Sequence, residues 1–97
     1  MIKILIAEEI EENLSKELAE EFYQKYSFSF NLVEKHVSQI SGGDTIVFDG
    51  AFKTVCSKDV KEDQLMGKTV FGDSFNIGAK PVLALWPKKQ LLYENIQ

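Results

Sequence analysis

The chain has 97 residues, carries a net charge of −4, and is 44% hydrophobic and 27% charged. That allows one small globular domain over residues 1–97, with a single core and little material for a deep substrate cleft. A single Cys excludes an intrachain disulfide, no apolar run approaches the roughly 20 residues that span a bilayer, and the eleven bases are all Lys. An acidic chain without Arg lacks the forked donors that suit phosphate and base edges.

The opening segment "MIKILIAEEIEENL" has one Lys and then a dense acidic run. A signal peptide needs a longer apolar stretch and a small-residue cleavage site. The expectation is therefore a cytoplasmic, monomeric protein with no membrane or direct nucleic-acid contact. Its charge favours a basic partner surface.

Ile2 to Ile6 is a short apolar run, read as a strand or as the lead-in to a helix. Glu8 to Tyr26 is rich in Glu, Leu, Lys and Ala and lacks Gly and Pro, which predicts a helix. Leu14, Leu18, Phe22 and Tyr26 recur every fourth residue as an apolar stripe, flanked by Ala19 and Tyr23. Glu8 and Glu9 suit the positive end of the helix dipole.

"SFSFNLVE" alternates, with Phe28, Phe30 and Leu32 on one face of a half-buried strand. "DTIVFDGAFKTVC" sets two β-rich runs around Asp49-Gly50, a pair suited to a type I′ hairpin turn. "SKDVKEDQLMG" is polar and is read as a helical turn ending at Gly67. "KTVFG" is a short strand, "DSFNIGAKP" a Gly-bounded loop, and "PVLALW" a strand entered from Pro81 and ended by Pro87. "QLLYENI" is a last strand or a short helix. A helix followed by about five short strands predicts an α+β fold, its helix packed across a strongly bent, barrel-like antiparallel sheet.

Gly72-Asp73-Ser74 raises the question of a nucleophilic serine. Such a serine needs a base within hydrogen-bond reach. His36 is the only histidine, and it lies far upstream. Asp73 and Ser74 between two glycines suit a structural turn better. His36 has no Cys or His at ligand spacing, so it is expected to be a rim residue and not a metal ligand. Cys56 is expected to be a small buried residue in a strand, and Trp86 a core residue. "GDTIVFDG" and "SKDVKED" lack the spacing of a calcium loop, and "SGGD" lacks the Lys-Ser/Thr of a phosphate loop. No cofactor and no catalytic residue is expected.

The acidic helix face is the most informative surface. Glu8/Glu12 and Glu17/Glu21 are like-charge pairs four apart, each destabilising by roughly 0.2–0.5 kcal/mol. Glu12/Lys16 and Glu21/Lys25 offset this in part. A solvated face explains such a run, and so does a patch that presents carboxylates to a Lys/Arg-rich groove.

The segment "GDTIVFDGAFKTVCSKDV…MGKTVFGDSFNIGAKPV" resembles a module of small phage, prophage and plasmid proteins, and covers about half the chain. In size, acidity and helix-plus-sheet layout the whole chain also resembles the small anti-CRISPR proteins that phages direct against type I surveillance complexes. The resemblance implies a phage-encoded, stoichiometric inhibitor acting in the host cell, without enzymatic activity. Some such inhibitors mimic DNA and occupy the basic groove of a crRNA-guided complex. From charge, the expected partner-binding residues are Glu17, Glu20 and Glu21, joined by Asp59, Glu62, Asp63 and Asp73 if the fold brings their loops to the same side. The alternative is a barrel-like interaction module that binds a peptide or another phage protein through aromatic loops.

Overall fold

A computed structural model describes residues 2–65 and 67–88. The fold is α+β, with all strands antiparallel. Strand β1 (Lys3–Ile4) leads into helices α1 (Ala7–Asn13) and α2 (Lys16–Glu21), and a π-helical turn (Phe22–Tyr26) follows. Then come β2 (Phe30–Lys35), β3 (Thr45–Phe48), β4 (Ala51–Thr54), β5 (Val60–Asp63), β6 (Gly67–Val70) and β7 (Val82–Pro87). The expected last element, "QLLYENI", lies outside the described residues. Among the described residues no helix is long and apolar enough to cross a membrane.

The main sheet has the order β1-β2-β7-β3-β4, and β5 and β6 form a separate hairpin. The expected barrel-like closure is not found. The sheet is open, with β1 and β4 at its edges. Closure would require those two strands to pair, and β1 is two residues long. Inside the sheet, β3 meets β7 only at Ile46 opposite Ala84.

Alternation along the central strands divides the core into two layers. One face carries Leu32 and Leu85, with Phe30, Val47, Phe52 and Leu83 half-buried, and packs on Leu5, Ile10, Leu14, Leu18, Ala19 and Phe22. The other carries Val33, Ile46, Val82 and Ala84 and packs on Val37, Ile40, Val55, Val70 and Phe75. Strand β7 is covered on both sides, which explains why "PVLALW" reads as a continuous apolar run. The β5–β6 hairpin sits in this second layer through Val60 and Val70. Lys68 Nζ ties it to the β2–β3 connection by donating to the Ser38 carbonyl at 3.2 Å.

The single predicted helix is broken. Leu14 is extended, and Ser15 caps α2 by accepting from the Leu18 N–H at 3.2 Å. A strict four-residue stripe drifts by about 40° per step on a straight helix. The break at Ser15 and the wider π turn correct the drift. Leu14, Leu18 and Phe22 are buried together, and Tyr26 packs half-buried on Phe52 at 5.1 Å between ring centroids.

Three further expectations are corrected. Phe28 is not on the strand: the chain turns at Ser27–Ser29, and Phe28 is 94% exposed. Cys56 is exposed, because the chain leaves β4 at Thr54 and enters a 3₁₀ turn (Ser57–Asp59). The polar "VKED" is strand β5, paired with β6. The hairpin at Asp49-Gly50 forms as read, both residues having positive φ (54° and 75°). Trp86 is half-buried against the second layer.

Candidate functional site

The break between α1 and α2 makes a notch of about 420 Å³. Leu14 and Ala19, both buried, form its apolar floor, and the exposed Glu11, Lys16, Glu20 and Tyr23 surround them. The volume is within the range of small ligand sites, about 300–1,000 Å³. The Tyr23 ring is braced edge-on by Phe22, with centroids 5.6 Å apart. Apolar floor, two carboxylates and an aromatic wall suit a Lys or Arg side chain. Its stem would lie on Leu14 and Ala19, and its cation would meet the carboxylates and the ring. Lys16 lies in the same notch and competes for those carboxylates.

One end of this layer is held by charge. Lys3 Nζ donates to Glu9, whose other carboxylate oxygen accepts from the Ile6 N–H at 3.2 Å. The Lys3 hydrogen bond, aided by the Ile6 N–H, holds the Glu9 carboxyl below its ordinary pKa, and the Glu9 hydrogen bond raises that of Lys3.

The seven expected partner-binding residues fall in two different layers. Glu17, Glu20 and Glu21 are on α2, with Glu20 at the notch. The other four belong to the layer on the opposite face of the sheet. Asp59 accepts from the Cys56 N–H at 2.9 Å, in the turn before β5. Glu62 and Asp63 are on β5, where Asp63 accepts from the Leu65 N–H at 2.7 Å. Asp73 accepts from the Phe75 N–H at 2.8 Å. Glu11, Leu14, Ala19 and Tyr23 are the notch residues that charge alone did not single out. The Ser15 cap in mid-helix is the sequence signal that marks the break.

The Gly72–Gly78 segment is a strained turn. Phe75, Asn76 and Ile77 are consecutive non-glycine residues at φ 52–57°, closed by Gly78 at φ 84°. A left-handed conformation costs roughly 1–2 kcal/mol per residue. The Gly78 N–H donates to the Ser74 carbonyl at 3.1 Å, and Ser74 Oγ accepts from the Ile77 N–H at 3.2 Å. Ser74 is only 8% exposed. His36 is engaged elsewhere, with Nδ1 at 2.7 Å from Ser38 Oγ and its ring over Gly78. The Ser74 hydroxyl serves the turn.

No family model matches this chain, and neither the curated proteins nor the solved structures include a match.

Proposed function

We propose that this protein is a non-catalytic binding module whose α1–α2 face docks on a Lys/Arg-rich protein surface. The observation that carries this reading is the notch. A face that only aids solubility needs charge alone, whereas here two carboxylates, Lys16 and an aromatic ring surround an apolar floor. Glu17, Glu20 and Glu21 extend the charge along α2. Such complementarity speeds association and selects partners more than it adds affinity.

The specific partner proposed is a host crRNA-guided surveillance complex, with the acidic face excluding target DNA from the basic groove. The test is a target-DNA binding assay on a purified type I complex. The wild-type chain should block DNA binding in a salt-sensitive way, and the folded triple variant Glu17→Lys, Glu20→Lys, Glu21→Lys should not. Equal inhibition by that variant removes the α2 face from the interface. A second reading, a module that docks through apolar loops, is favoured by Phe28, Leu65 and Ile77, all largely exposed. It predicts binding that salt does not weaken.

A further inference from the structure

The notch between α1 and α2 already has an ammonium of its own, and that ammonium does not engage it. Lys16 lines the recess with Glu11 and Glu20. Glu20 follows Lys16 by four residues on the same helix, the spacing at which opposite charges meet. Yet Lys16 pairs with neither carboxylate, and the Glu11 and Glu20 side chains accept no hydrogen bond among the described residues. An ammonium is a compact, strongly hydrated charge, and it gains little by leaving water for the surface of Leu14 and Ala19. A guanidinium is a different solute. Its plane is delocalised and weakly hydrated on both faces, and its five N–H donors all point outward along the edge.

We propose, resting on the docking role of the α1–α2 face, that the notch takes an arginine side chain in preference to a lysine. Its polarity is distributed as a guanidinium requires. The floor, buried Leu14 and Ala19, is apolar. Tyr23 adds an aromatic surface: it is 41% exposed, and Phe22 braces it. The carboxylates come from two helices, Glu11 from α1 and Glu20 from α2. Apolar surfaces thus meet the faces of the plane, and acceptors on two walls meet its edge. Lys16 repels any incoming cation, arginine or lysine, so charge alone does not discriminate between them. The planar shape and the weak hydration do.

The test compares hexa-arginine with hexa-lysine, equal in length and charge, by ¹H–¹⁵N shift titration of the full chain at one salt concentration. Hexa-arginine should bind about threefold more tightly, with its shifts at Leu14, Ala19 and Tyr23. Tyr23→Leu keeps the charges of the notch and removes the ring, and it should shrink the preference. Glu11→Ala removes one edge acceptor and should weaken hexa-arginine more than hexa-lysine. Glu11 is exposed, so that variant keeps the test decisive if Tyr23→Leu does not fold. Equal affinities for the two peptides at the notch overturn the arginine preference and leave the docking reading standing. Binding of neither peptide overturns both. A preference undiminished in either folded variant, or one whose shifts miss the notch, also overturns the arginine site.

Discussion

Glu11 at the end of α1 and Glu20 in α2 line the same notch, above buried Leu14 and Ala19. Ser15 makes this possible. A continuous helix would carry the two carboxylates along one rod, whereas the break folds one segment against the other.

Lys16 shares that notch and partly neutralises it. Lys16→Glu should therefore tighten binding of a hexa-arginine peptide, by about twofold for one exposed charge. Isothermal titration at low salt measures this, and the gain should vanish at high salt as screening grows. Weaker binding by Lys16→Glu would show that the partner needs a cation there.

Ser15→Ala removes the α2 cap and should cost about 1 kcal/mol in urea denaturation. The same change should loosen the notch, so peptide affinity and stability should fall together. Stability that does not change would mean that the α1–α2 break is held by packing alone.

The Lys3–Glu9 pair gives the helical layer a pH dependence of known sign. The Glu9 carboxyl lies below its ordinary value in the folded chain. Its contribution is thus present above the unfolded value, about 4.3, and is lost as pH falls through the lower folded value. Lys3 is raised, so its contribution is complete below about 10.4 and is lost as pH rises through the higher folded value. Lys3 is exposed and Glu9 half-buried, so solvent screens the pair and the effect is small. The protection of the Ile10 amide, which donates to the Ile6 carbonyl, relative to the free-peptide exchange rate at the same pH, should fall at both extremes. In Glu9→Gln the acid limb should disappear.

Ile77 is β-branched, left-handed at φ 57° and 71% exposed. Ile77→Gly keeps the N–H that donates to Ser74 and relieves the strain. It should stabilise the fold by about 1 kcal/mol, read as a higher thermal midpoint. A stabilised variant with weaker partner binding would mark Ile77 as a contact of the second reading.

Much of this fold was legible where local chemistry and burial agree. Asp49-Gly50 has the φ preferences of a type I′ turn and forms one. The stripe of Leu14, Leu18, Phe22 and Tyr26 marks the buried side of the helical layer. Legibility failed where tertiary context decides. "VKED" has no alternation, yet pairing with Gly67–Val70 makes it a strand. Phe28 continues the alternation of Phe30 and Leu32, but the turn closed by the Ser29 N–H on the Tyr26 carbonyl leaves it outside the sheet. The acidic residues were visible as a set, but their separation by the sheet was not. Local sequence does not record which layer the β5–β6 hairpin joins. The burial of Lys35 is not written in its own strand, since the ring and the carboxylate beside it, Trp86 and Asp44, come from elsewhere in the chain.

The most direct test of a basic-partner docking face is ¹H–¹⁵N shift mapping with a hexa-arginine peptide. Saturable, salt-sensitive shifts should concentrate at Glu11, Leu14, Lys16, Ala19, Glu20 and Tyr23. Shifts of equal size at Glu62 and Asp63, on the opposite layer, would mean that the peptide responds to net charge alone. That result would contradict a built site between α1 and α2.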